Sequence, residues 1–251
     1  MERVLKKLKS DLTITSVVYI ALVFATSFFL WLPNRGLSRI INQIPIAFIL
    51  LFYGTYVKRP YKVSDYISII ILCCSPVFQL MAHILVNSKQ QEIAAVLDIV
   101  FILIIHSLLI VLFRFEGGVA ITGKKNDLKT TFPILVVMIL LFGIILMNNI
   151  PTQFVIVFVL FIGLILVLTA TFINRRVEQI AKKISSVGLL GIISCDYIAL
   201  YSKAVDKFPY SFEIYRALYF IGIYLIITGS LINTELNLSK KSKSKDLHIR
   251  V

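Results

Sequence analysis

Charge is scarce in this sequence, and acidic charge most of all: 16% of its 251 residues are charged, with 13 Asp and Glu against 26 Lys and Arg. Cysteine is nearly absent. Cys73, Cys74 and Cys195 lie inside apolar runs with no metal-ligand spacing, where oxidation is disfavoured, so they read as small packing residues. No GxxxxGK[ST] loop, HExxH helix or GxSxG elbow occurs, which removes support for ATPase, zinc protease and serine hydrolase chemistry. Nothing in the residues asks for a metal or a cofactor. No small-residue cleavage site follows the first apolar run, which starts after MERVLKKLKSD, so that run reads as a retained helix and not as a signal peptide.

What fills the chain instead is apolar: 58% hydrophobic residues and a mean hydropathy of +0.89, beyond the range of a soluble domain. Apolar runs of about 20 residues recur along the length, and their continuity favours helices over a barrel. The pattern predicts an all-α polytopic membrane protein, a single bundle of eight transmembrane helices over 1–236. The helices are placed at about 13–32, 39–57, 65–87, 92–113, 131–149, 151–174, 183–203 and 211–234, ahead of a basic tail, 237–251, read as disordered. That tail either anchors the inside by its charge or touches anionic headgroups. Basic residues sit singly or in small clusters between apolar runs, which argues for topology and against nucleic acid. Twenty Lys and Arg fall on one side of the alternation and five on the other, so both termini are expected in the cytoplasm. The Ile-, Lys- and Asn-leaning composition points to a bacterial inner membrane, with an internal eukaryotic membrane as the alternative.

Polar residues inside such spans are costly and mark function more often than not. In the eight-helix arrangement, Gln79 and His83 share one face of the outer half of the third span. Asp98 enters the next span, and His106 lies near its middle. Asp196 and Tyr197 lie past the midpoint of the seventh span, with Arg216 and Tyr219 about a turn apart in the eighth. Their convergence on one layer predicts a polar pocket. Each also has a structural alternative. Asp98 can sit at the interface, Arg216 can snorkel or pair with Asp196, and Gln79, His83 and His106 can be interhelical hydrogen bonders.

Four stretches carry a family likeness: GLLGIISCDYIAL, the loop DKFPYSF, RALYFIGIYLI, and DIVFILIIHSLLIVLF upstream. Together they resemble the YhhN, or lysoplasmalogenase, family of eight-helix membrane proteins. The resemblance places Asp196 on the family's second aspartate and Cys195 on the serine before it. Tyr219 and Phe220 fall on its tyrosine pair, and His106 on its histidine. The chain also departs from the pattern. Where the family has Ser-x-x-Gly-Asp, this chain has Ser75 to Gln79, so Phe78 replaces the glycine and Gln79 the first aspartate. Leu109 stands for an expected tyrosine and Ile223 for an expected glutamine.

The resemblance implies hydrolysis of the vinyl-ether bond of a lysoplasmalogen. Such a reaction needs an acid to protonate the enol-ether carbon and a base to guide water to the oxocarbenium ion. Asp196 is then the acid or base, with His106, His83 and Gln79 as proton or water partners. Arg216, Tyr219, Tyr197 and Asp98 become contacts to a lysolipid. Gln79 cannot titrate, so a non-catalytic relative that binds lipid or senses the membrane is the alternative. A small transporter using Asp196 as a proton site is a third reading, weakened by the lack of matched broken helices in the two halves.

Overall fold

The computed structural model describes the backbone of residues 2–28, 41, 43–87, 91–120, 132–133, 136–137, 139–140, 143, 152–204 and 209–248. Side chains are described for these except 2–12, 27–28, 79–80, 82–87, 91–96, 98–99, 152–158, 203–204, 212 and 241–248. Seven helices carry the described chain: α1 (Glu2–Phe28), α2 (Ile44–Tyr56), α3 (Val63–Asn87), α4 (Gln91–Phe115), α5 (Thr152–Ile173), α6 (Gln179–Ala204) and α7 (Ser211–His248). No strand occurs among the described residues. The helix expected at 131–149 lies mostly outside the described residues; those described within it are helical. Among the described residues, two helices contain stretches long and apolar enough to cross a membrane, Gln179–Ser202 and Glu213–Lys240. Shorter apolar stretches occupy the other five.

Hydropathy misplaced two helix ends. α1 begins at Glu2, well before residue 13, and α7 runs on to His248. The tail read as disordered is therefore helical over most of its length. Its residues explain this: LNLSKKSKSKD contains no Gly or Pro to stop a helix, and lysines are favoured near a helix carboxy terminus. Lys240 also reaches back to Glu178 at 2.5 Å. A helix outside a membrane does not need apolar residues, so a hydropathy window cannot find its end.

The chain divides into two compact units. The first comprises Met1–Tyr56, Val177–Cys195 and Glu213–Val251. Here α6 and α7 pack antiparallel with their backbones in near contact. A Cβ on Gly188 would lie 2.6 Å from the Gly222 carbonyl, and one on Gly222 would lie 2.8 Å from the Gly188 carbonyl. Only glycine permits that approach. α1 joins the same unit through Tyr19, whose ring stacks on Tyr224 at 4.4 Å while its hydroxyl donates to the Phe220 carbonyl at 3.0 Å.

The second unit comprises Val57–Arg176 and Asp196–Phe212. α3 packs on α4 and α4 on α5. α3 starts where Asp65 reaches back to the Lys62 N–H at 2.6 Å, half of a capping box, while Arg59 grips the same carboxylate at 2.6 and 3.2 Å. α4 ends in a Schellman turn: Gly118 N–H donates to the Phe113 carbonyl, and Gly117 N–H to that of Arg114. Gly117 has φ +82°, which glycine adopts without strain. Gly118 has no room for a side chain, because a Cβ would lie 2.5 Å from the Thr171 carbonyl of α5.

Candidate functional site

Inside the second unit, α4 and the later part of α6 bring together two of the residues that the sequence analysis named, His106 and Asp196. His106 and Asp196 are buried, at 1% and 5% exposure. His106 Nε2 stands 2.8 Å from Asp196 Oδ2. The other ring nitrogen, Nδ1, is 2.7 Å from the carbonyl of Ile102, one turn earlier on α4. A carbonyl can only accept, so Nδ1 carries the proton of that bond.

A simple proton count follows. With Nδ1–H committed to Ile102, Nε2 of the neutral ring is a bare acceptor facing a carboxylate oxygen. Two bare acceptors at 2.8 Å repel, and the buried setting strengthens the repulsion. One proton resolves it. A proton on either atom would make the contact a hydrogen bond, with Nε2–H donating to a carboxylate or a carboxyl O–H donating to Nε2. Phe161 of α5 braces the imidazole edge-on, with ring centroids 5.6 Å apart and planes at 73°. Ile105 and Leu109, both fully buried, flank His106 along α4. Chemically, the arrangement can give up a proton and take one back without any other titratable group.

The remaining expected site residues fall in several places. Gln79, His83 and Asp98 lie on the described helices α3 and α4, but their side chains lie outside the described residues. Tyr197 is half-buried, with its ring 6.0 Å from that of Tyr201. Arg216 and Tyr219 belong to the first unit. There the Arg216 guanidinium lies 5.1 Å from the Phe220 ring, and the Tyr219 ring 5.7 Å from it. The ion partner of Asp196 is thus His106, where the sequence offered Arg216. Among the described residues, no three His, Cys, Asp or Glu side chains gather as a metal site.

Sequence reasoning missed a second buried ion pair in this unit. Arg175 Nη1 meets Glu116 Oε2 at 2.5 Å, with the residues 5% and 8% exposed. The guanidinium carbon rests in a corner formed by the Phe113 and Phe172 rings, 4.4 Å from each centroid. Burial lowers the Arg175 pKa from its usual value, and Glu116 opposes that shift. The available signal was Glu116 itself, an acid two residues after Arg114 in a mostly basic connection.

Comparisons with protein-family models, curated proteins and solved structures return no match to this chain.

Proposed function

We propose that this chain is an eight-span membrane protein of the YhhN kind, a hydrolase of a lysoplasmalogen-type ether lipid that works through the His106–Asp196 pair. The observation that carries the reading is the buried His106–Asp196 contact at 2.8 Å, which a single proton can bridge. In a vinyl ether, that proton goes to the carbon remote from the ether oxygen, leaving an oxocarbenium ion. The deprotonated pair then takes a proton from water as the water oxygen bonds to the cationic carbon. The resulting hemiacetal collapses to an aldehyde and the glycerol hydroxyl of the headgroup. Histidine thereby supplies the second titratable group that the family's first aspartate would give and Gln79 cannot.

Several features support the membrane part. Apolar side chains face outward along the helices: Ile14, Val17 and Phe24 on α1, Val159 and Leu160 on α5, Leu190 on α6. Water would penalise so many exposed apolar groups, and lipid would not. The charge asymmetry places both termini in the cytoplasm, and composition favours a bacterial inner membrane.

Aldehyde release from a lysoplasmalogen by the detergent-solubilised protein tests the reading, beside Asp196→Asn and Gln79→Asp. Release by the wild type that vanishes in Asp196→Asn supports it; retained turnover in that variant refutes it. Gln79 favours one second reading, a relative that keeps the fold to bind lipid without turnover. Silence from the wild type with activity gained in Gln79→Asp would select it. Transport that depends on a proton gradient would instead favour Asp196 as a transporter's proton site.

A further inference from the structure

Along α4, Glu116 lies ten residues beyond His106, about 15 Å at the helical rise, and its ion pair with Arg175 takes no part in the chemistry above. Arg175 Nη1 is committed to Glu116 Oε2. The opposite edge of the guanidinium, Nε and Nη2, is buried and has no hydrogen-bond partner among the described residues. That edge presents two parallel N–H groups, the fork that matches two oxygens of a phosphate or carboxylate. Its orientation is fixed in advance, because the Phe113 and Phe172 rings hold the guanidinium in their corner.

The charge around the edge favours an anion. Arg114 follows Phe113 and Arg176 follows Arg175 in the chain, both are exposed, and the Arg176 stem lies beside Gly117, so the two segments that form the corner carry three arginines and one glutamate. We propose that the Nε–Nη2 edge of Arg175 binds a phosphodiester oxyanion, presented by a lipid headgroup or by a free phosphate ester. A phosphodiester carries one negative charge and two free oxygens, which satisfies both donors while limiting repulsion with Glu116. The edge is covered in this structure, so entry requires the corner at residues 115–119 to lift. Phe115 and Val119 of that corner are exposed, and Asn174 ties it down through the Val119 carbonyl at 2.9 Å. The lipid source rests on the membrane reading, in which this end of α4 faces the cytoplasmic leaflet where anionic headgroups concentrate. The phosphate chemistry does not depend on it.

Native mass spectrometry of the detergent-solubilised full chain tests the site, titrating phosphatidylglycerol, diacylglycerol without a phosphate, or glycerophosphoglycerol, the free phosphodiester of the same headgroup. Phosphatidylglycerol is expected to bind and diacylglycerol not to. Arg175→Lys, which keeps the charge and loses the fork, should weaken binding about tenfold. Glu116→Gln removes the negative neighbour and should tighten binding a few-fold. Arg176→Gln should change it by less than about twofold, as an exposed charge does. A purely structural ion pair gives the opposite result for Glu116→Gln, which would then weaken retention as Arg175→Lys does, and that outcome overturns the proposal. Equal losses in Arg175→Lys and Arg176→Gln would show diffuse surface attraction and also overturn it, as would absence of binding by both phosphate compounds. Glycerophosphoglycerol binding with the same variant pattern identifies a free phosphodiester as sufficient; binding by the lipid alone identifies the membrane-borne headgroup. Should Arg175→Lys fail to fold, Glu116→Gln decides: tighter binding supports the site, weaker binding overturns it.

Discussion

Replacing Asp196 with leucine deletes one half of a buried pair and leaves the other half in place. His106 Nε2 then faces methyl groups at a position where the imidazole side chain is 2% exposed, so water cannot replace the lost partner. Breaking a buried pair from one side costs about 3–5 kcal/mol, much of it the desolvation of the survivor. The reciprocal change, His106→Leu, strands the buried Asp196 carboxyl group without its partner, at a similar cost. The double leucine variant strands nothing, and replacing a whole buried pair by apolar groups is close to neutral. The two changes should therefore be strongly non-additive, with a coupling of about 3 kcal/mol or more. Thermal melting of the detergent-solubilised protein reads this out. At about 2–4 °C per kcal/mol for a chain of this size, each single variant should lose roughly 10 °C and the double only a few degrees. A double variant that melts at the sum of the two losses would refute the reasoning, because it would show that His106 and Asp196 do not depend on one another.

Other substitutions probe the packing inside each unit. Gly222→Ala puts a methyl 2.8 Å from the Gly188 carbonyl and should cost about 2–3 kcal/mol in melting experiments, whereas Gly191→Ala, 3.3 Å from its nearest neighbour, should cost less than about 1 kcal/mol. Gly117→Ala meets only ordinary contacts with Arg176 but must hold φ +82°, so a loss of about 1–2 kcal/mol would come from backbone strain alone. Asp65→Asn keeps one acceptor for the Lys62 N–H and loses the charged fork with Arg59; a drop of about 1–2 kcal/mol is expected, read as earlier melting or faster hydrogen exchange at the start of α3.

Much of the helical framework was legible in the sequence. The expected spans 65–87, 92–113, 151–174 and 183–203 agree with α3, α4, α5 and α6 to within four residues at every end, because continuous apolar runs bounded by charges leave few other choices. The ends of α1 and α7 were missed because hydropathy reports where a helix is apolar, while hydrogen bonding and propensity decide how far it continues. The glycines of GLLGIISCDYIAL stood out in sequence, but their purpose did not. Gly188 is required by a carbonyl of α7, and nothing in α6 announces which helix will approach.

Sequence by itself determined the helical class, the strong charge asymmetry and a short list of polar residues set in apolar runs, since each follows from what a residue costs in an apolar environment. It ranked Asp196 first and kept His106 on the same list. Only the tertiary structure decided that these two meet, that Glu116 meets Arg175, and that Arg216 rests over Phe220. The physical reason is rotational. A helix that is apolar all round carries almost no signal for which face meets a neighbour, so the pairing of its few polar groups is settled by side-chain packing, register and the close approach that glycine allows.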